Sequence, residues 1–577
     1  MVNTLKPVQS IEAGFHGAKR HRLRPLDVPR IEPSALQPRS HKSHGYTETT
    51  TAMHPADHPA APVPSTDRLP TSRLRPTSRL LPTSRLLGSL LIGLFIAQTI
   101  AGLQVWQSNR LVLARAEAMQ AEGYLTVPNA IIQAELTRWE SAMAGGLFFT
   151  LSIGAGLTMA TLCLAGLAGL MPTRKKGLVL LGLMLQGLML LRLNLDSLQP
   201  LASLYLLLVP LGVWWTLHRN DGIVKHARAA RTLLLTLLLP LIILTALWLP
   251  QKDDDLFIRI RDQILLGNPM GQAVNDYYYG NTLPPAEVFK PLHQKTLKSV
   301  ARDDLEALPA AKRARLLAGL GKLDYLPLPG DRPVDLHLHM DGEQIVLDDG
   351  RGRTHRVELK AFSANPGEAL SQFSRKIDGR PFFRSLTFYG LLIGFPLCLY
   401  LAVYATLALL ASPLAGPTRS LWVAGTCCLL LGTAAWWPVN AGRTAPLETE
   451  KIGSALQAED QPKRLAALRL IHDKNLEIGN YPQYRHLMEA GGIAERYWLA
   501  RALGVSRTRT TYDDLLTLTE DAHPNVVCQA YYGLGRRGRR EAIPVLIDQL
   551  KQSKHWYAQW YGYRSLKALG WRQTPSP

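Results

Sequence analysis

Residues 86–106 read LLGSLLIGLFIAQTIAGLQVW, with no charged side chain from Leu86 to Trp106. A helix needs about 20 apolar residues to cross a hydrocarbon layer of about 30 Å. This stretch meets that length and ends on a tryptophan, the residue type that favours a lipid–water boundary. Runs of the same kind follow at 144–171, 177–195, 198–217, 232–249, 386–411 and 421–439. One such run could be the core helix of a water-soluble domain. Seven of them predict a polytopic helical membrane bundle of about seven spans.

The direction of the spans follows from the basic residues in the short connections. Arg73, Arg75, Arg79 and Arg85 precede the first run, and Arg174-Lys175-Lys176 follows the second. His218-Arg219, Lys225, Arg228 and Arg231 follow the fourth, and Arg419 follows the sixth. The other connections are neutral or mixed: Arg110, Arg115 and Arg138 face Glu117, Glu122, Glu135 and Glu140. This alternation predicts a cytoplasmic N-terminus in the inner membrane of a bacterium. The long segments after the fifth and seventh runs are then periplasmic.

The composition fits that division. The chain has 577 residues, 47% hydrophobic, and a formal net charge of +20, and its charges flank the apolar runs. Such a balance suits retained membrane-protein loops, and nucleic acid is not an expected partner. Residues 1–85 carry no apolar period, and a Pro-Thr-Ser-Arg-Leu unit recurs at Pro70, Pro76 and Pro82. The expectation there is a disordered basic tail. Of the five cysteines, only Cys528 lies outside an apolar run, and none has zinc or disulfide spacing. Within the runs the polar residues are few. Arg192 and Asp196 form a helical-spacing pair, Gln98 and Gln186 are placed to bridge helices, and glycines at 145, 146, 154, 156, 166 and 169 suit close packing. No transport path is read from them.

Between the fifth and sixth runs, residues 251–385 predict a small extramembrane α+β domain. A short amphipathic helix through Ile258, Ile260 and Ile264 ends at Gly267-Asn268-Pro269, and helical segments continue to Leu320. Then Val334, Leu336, Leu338 and Met340 alternate with Asp335, His337, His339 and Asp341. Asp341-Gly342 and Asp348-Asp349-Gly350 turn the chain twice, predicting an antiparallel meander that runs on through 354–362. Alternate strand residues share a face, so His337 and His339, with His355 on a neighbouring strand, are the candidate metal ligands. The competing reading is a solvated polar stripe.

Residues 440–577 read as consecutive amphipathic helices near 461–471, 493–503, 525–534, 541–550 and 556–569. Similar ends recur at Leu503-Gly504, Leu534-Gly535 and Leu569-Gly570, roughly 30 residues apart. Asp521-Ala522-His523-Pro524-Asn525-Val526-Val527 opens a helix through Ala530 to Leu534-Gly535, and Ala542-Ile543-Pro544-Val545-Leu546-Ile547 supplies its antiparallel mate. This quarter of the chain resembles the HEAT-repeat family in its short bacterial form. Asn480-Tyr481-Pro482 interrupts the pattern in the first unit. The resemblance implies a C-terminal α-solenoid and a protein-binding habit, not a reaction. Trp556, Tyr557, Trp560, Tyr561 and Tyr563 crowd the last helix, and Arg536, Arg537, Arg539 and Arg540 form a basic turn. These are the candidate partner-binding residues, the competing reading for the aromatics being that half or more of them cap the solenoid core. Phosphate loops, nucleophile elbows and paired metal motifs are missing from the sequence, and no catalytic residue or cofactor is assigned. The leading expectation is a membrane scaffold or assembly protein. A transport component and a metal-dependent membrane enzyme are the alternatives.

Overall fold

The computed structural model describes residues 82–218, 227–251, 253, 255–302, 306, 308–443 and 447–573. The expected basic tail up to residue 81, Arg219 and Lys225 lie outside the described residues.

Among the described residues, six helices are long and apolar enough to cross a membrane. The first, α1 (Pro82–Ala121), runs on for fifteen residues past Trp106. Nothing between Trp106 and Gly123 breaks a helix, and proline fits its first turn. At 1.5 Å per residue α1 is about 60 Å long, twice a hydrocarbon layer. The short α2 (Ala130–Leu136) leads into α3 (Trp139–Leu170), α4 (Lys175–Asn194), α5 (Pro200–His218) and α6 (Ala227–Trp248). The runs at 386–411 and 421–439 fall in one bent element, α12 (Pro381–Ala441). Its two arms meet at Gly416, where φ is 75° and the backbone is not helical. Prolines 413 and 417 flank that bend, and glycine alone takes the left-handed geometry without a Cβ clash.

The apolar helices pack closely. Ala97, Ala101, Phe149, Ile153, Tyr205 and Val209 form a buried core shared by α1, α3 and α5. A Cβ added at Gly156 of α3 would stand 2.9 Å from the Cα of Gly390 in α12. Both helices carry a π turn at this crossing, Thr150–Gly154 and Gly390–Gly394. Of the glycines singled out by sequence, Gly166 and Gly169 face open space instead. Gln98 donates to the Met143 carbonyl at 2.7 Å and Gln186 to that of Leu206 at 2.6 Å, so both bridge helices as expected. The Arg192–Asp196 pair forms at 3.3 Å.

Between α6 and α12 the chain makes α7 (residues 256–265), α8 (Pro269–Phe289), β1 (Lys298–Ala301), α9 (Ala310–Lys322), β2 (Tyr325–Leu328), β3 (His337–Asp341), β4 (Gln344–Asp348), β5 (Thr354–Glu358), α10 (Leu359–Ala364) and α11 (Pro366–Lys376). Asn268 caps α8 by accepting from the Gly271 N–H at 2.8 Å, with Pro269 in the first turn. Strands β3, β4 and β5 form the antiparallel meander read from the period-two pattern. The third strand stops at Glu358, and residues expected to extend it coil into α10. A second sheet was not foreseen: β1 pairs in parallel with β2, their core-facing residues forming no alternating pattern in so short a strand.

The C-terminal part contains α13 (Gln461–Lys474), α14 (Ile493–Val505), α15 (Arg509–Thr517), α16 (Pro524–Arg537), α17 (Ala542–Gln552) and α18 (Trp556–Ala568). Helices α13, α14, α16 and α18 stack into one layer, and α15 and α17 pack behind it. Neighbouring backbones nearly touch: a Cβ at Gly504 would stand 2.6 Å from the Cα of Gly533. Asn480-Tyr481-Pro482 forms tight turns between α13 and α14 in place of a full helix.

Candidate partner interface

The sequence-marked residues divide sharply once placed. His337 and His339 lie on one face of β3, with ring centroids 6.2 Å apart. His355 does not join them. It pairs with Leu347, which pairs with Leu338, so it lies on the opposite, core-facing side of the sheet. Directly paired antiparallel residues share a face, so the register that aligns the core also separates the histidines. The three-histidine metal site is corrected accordingly, and among the described residues no group of three or more His, Cys, Asp or Glu side chains converges. Asp335, preceding these histidines, is buried and bound by Arg115 of α1 at 2.8 Å and Lys295 at 3.6 Å. Burial pushes its carboxyl up, but those two cations and the Ser299 donors hold it below the usual range.

The aromatic residues of α18 are not an open surface. Trp556, Trp560, Tyr561 and Tyr563 are buried, and Tyr557 is half-buried. Beyond the solenoid's own helices, their neighbours belong to the chain between the fifth and sixth apolar runs. Tyr557 packs on Tyr279 of α8 at 5.6 Å, and Lys290 lies 5.2 Å over the Trp560 ring. Tyr563 donates to Asp324 at 2.8 Å, and Lys567 pairs with the same carboxylate at 2.6 Å. Sequence reasoning treated the aromatics as an external docking set. They are consumed by an internal one, because a helix flanked by two surfaces buries both its faces.

This contact extends along the whole helical layer. Asp262 of α7 is fully buried and accepts from Arg261 at 2.6 Å, Arg469 of α13 at 2.6 Å and the Trp498 indole of α14 at 2.8 Å. Arg261 also lies 3.8 Å over the Tyr497 ring, while Arg469 and Arg501 stack on Trp498 at 4.8 Å. Burial pushes the Tyr497 phenol up, yet Arg261 and Arg501 pull it below its ordinary pKa. Asp276 of α8 meets His523 at 3.0 Å. At the far end, the Asn129 amide donates to the carbonyls of Leu550, Lys551 and Ser553 at 2.9 to 3.0 Å. Gln573 and Leu125 exchange two bonds, 2.7 and 3.0 Å. Asp262, Asn129 and Gln573 escaped the sequence reading because lone polar residues beside turns carry no periodic mark.

What remains open is the arginine turn and its neighbour from the preceding repeat. Arg536 and Arg540 are exposed, and Arg537 and Arg539 are half-buried. Arg537 and Arg539 lie over the Tyr512 ring at 5.6 and 4.9 Å, and Arg509 approaches it from α15 at 5.4 Å. Arg537 also donates to the carbonyls of Leu503 and Thr508 at 3.0 and 3.2 Å, tying the two turns together. Arg507, Arg509, Arg536, Arg537, Arg539 and Arg540 thus share one rim, with Asp513, Glu541 and Glu477, which accepts from the Arg507 N–H at 2.6 Å, as near carboxylates. In the described part of residues 447–573, Val545 is the one large apolar side chain left exposed.

Residues 486–567 match the family model described as HEAT repeats. That region covers α14 to α18, so the C-terminal part of the chain carries HEAT repeats, modules of protein–protein interaction. No curated protein and no solved structure matches the chain.

Proposed function

We propose that this protein is an integral membrane scaffold that fixes a HEAT solenoid outside the cytoplasmic membrane of a bacterium and holds a protein partner there. One observation carries the reading. The segments that follow the first, third, fifth and seventh apolar runs are linked to one another in a chain of direct contacts. Leu125 meets Gln573, Gln199 donates to the Gly379 carbonyl at 2.5 Å, and Asp262 and Asp324 meet Arg469 and Lys567. In a bundle whose spans alternate in direction, these segments share one end. The short connections among them lack the basic excess of Arg174-Lys175-Lys176 and Arg419, and long segments cross whatever their own charge, so the positive-inside rule favours the periplasm for this end. Alkaline phosphatase fused after Pro577 is expected to be active in whole cells. An inactive fusion with a fluorescent cytosolic counterpart would overturn the orientation.

The partner reading rests on the arginine rim. The solenoid's helical layer is taken up by the chain itself, and the rest of its surface offers almost no apolar contact. Guanidinium groups bind carboxylates through paired donors, so the rim fits an acidic segment of a protein. A lipid surface is the poorer match, since surface-seated segments insert apolar side chains that this rim lacks. The test is the Arg536→Glu/Arg540→Glu double variant of the full chain, captured from cross-linked cells. Both side chains are exposed, so folding should persist while the native chain's cross-linked partner is lost. Undiminished cross-linking would remove the rim from the proposal.

A further inference from the structure

We infer that α8 is a membrane-surface helix, seated by its N-terminal half in the outer lipid–water boundary while its other side carries the solenoid. The inference rests on the membrane reading above. Its starting point is a stripe of apolar residues that nothing among the described residues covers. Met270 is 80% exposed, Val274 56% and Tyr277 51%, and Phe257 of α7 is 51% exposed beside them in sequence. Positions 270, 274 and 277 fall at i, i+4 and i+7, one face of a helix.

The direction of that face follows from the contacts on either side. Further along the same stripe, Asn281 and Pro285 lie against α3: a Cβ at Gly145 would stand 3.1 Å from the Asn281 carbonyl and 3.4 Å from Pro285. Asp276 and Tyr279, roughly opposite at about 100° per residue, reach the solenoid through His523 and Tyr557. The exposed stripe therefore continues the side of α8 that meets the apolar helices, not the side that meets the solenoid.

The height of α8 is fixed at both ends. Phe289 stacks on Phe383 at 5.5 Å, where the first arm of α12 begins. At the other end, Gly442 closes the second arm, and a Cβ there would stand 3.4 Å from Gln263, just before α8. Gln251, ending the segment after α6, bonds Asn440 at the same level at 2.8 Å. A helix about 30 Å long with each end tied to the outer end of a candidate span lies across the bundle, along the membrane plane. From Asn281 back to Met270 it extends about 16 Å beyond its contact with α3. The overhang presents apolar side chains at the depth where acyl chains begin. The α8 sequence contains no Lys or Arg, so its attraction is apolar burial rather than headgroup charge.

The experiment uses the full chain in phosphatidylcholine vesicles, with and without added phosphatidylglycerol. p-Benzoylphenylalanine replaces Val274, or Met270 in a second variant; both positions are exposed, so packing is undisturbed. Illumination is expected to add the mass of one phospholipid at either position, with equal yield in both vesicle types. Leu183→p-benzoylphenylalanine in α4 and Asp548→p-benzoylphenylalanine in α17 are the references. Lipid adducts at 183 but none at 270 or 274 overturn the inference and leave the membrane reading intact. No adduct at 183 overturns both. Cross-linking of 270 or 274 to a second copy of the chain would assign the stripe to self-association and also overturn it.

Discussion

Replacing Asp262 by alanine should loosen the joint between the solenoid and the bundle at α7 without unfolding either. The carboxylate is fully buried and takes hydrogen bonds from Arg261, Arg469 and the Trp498 indole. Its removal leaves two guanidinium groups and an indole N–H facing one another at a dry joint. Breaking a buried ion pair from one side costs about 3–5 kcal/mol, mostly the penalty of the charge left behind. At about 1.4 kcal/mol per decade, a cost near 4 kcal/mol raises the open fraction of the joint on the order of a thousandfold. The readout is hydrogen exchange in the full chain. Peptides covering α7, a short helix held by this contact, should lose protection, while α16 and α3 keep theirs. A Trp498→Phe variant removes only the indole donor, about 1.5–3 kcal/mol for a bond to a charged group. Since both changes delete the same bond, the double variant must cost less than the two added. Unchanged exchange in α7, or strict additivity, would refute the claim that Asp262 holds the joint.

Three further outcomes follow from the same contacts. Burial lowers the pKa of His472 and of His555 from 6.5 to about 4, with Arg501 adding to the effect on His472. The folded state keeps both rings neutral, while the unfolded chain protonates below about pH 6.5. Their stabilisation is therefore complete above that pH, declines as pH falls toward 4, and changes no further below; for His472 it is on the order of 3 kcal/mol. Thermal unfolding that is flat from pH 7 to 4 would contradict this. Asn129→Ala strips donors from three carbonyls at the end of α17 and should cost about 1–3 kcal/mol, read as faster exchange across residues 122–137. Gly504→Val forces a side chain against the Gly533 backbone and should lower the solenoid's melting temperature, an overpacking cost of at least about 1–3 kcal/mol. Gly538→Ala, by comparison, meets open space and suffers only from its φ of 73°.

The features legible in the sequence are those written in local periods. Apolar runs, the alternation from Val334 to Asp341, and Leu-Gly helix ends each depend on neighbours within a few residues, and each has its counterpart in the structure. Even there, local rules mislead about extent. Trp106 reads as an end because it suits a boundary, yet the helix continues to Ala121, since backbone bonding has no reason to stop at a solvent change. His355 illustrates the limit more sharply. Its strand was expected, but the metal reading needed its register, and one residue of register decides the face. The interdomain contacts were out of reach for another reason. Asp262 and Arg469 are separated by more than two hundred positions, and either alone reads as a solvated charge.

The composition of the joint bears on what the assembly is for. Burying ion pairs adds little stability over apolar packing of the same shape, because desolvation offsets the attraction. The joint nevertheless uses Asp262, Arg261, Arg469, Asp324 and Lys567, together with directional bonds from Asn129 and Gln573. Such contacts tolerate no sliding: a shift of one turn would strand every charge. A greasy interface would bind as well and permit several registers. The chain has instead spent its solenoid's helical layer on a contact that admits one arrangement, and has drawn it from two separate segments, those that follow the first and fifth apolar runs. A solenoid serving as a mobile arm would gain nothing from that. A solenoid holding a partner at a set position above a membrane requires it, because the placement of the arginine rim is then determined by the placement of the spans.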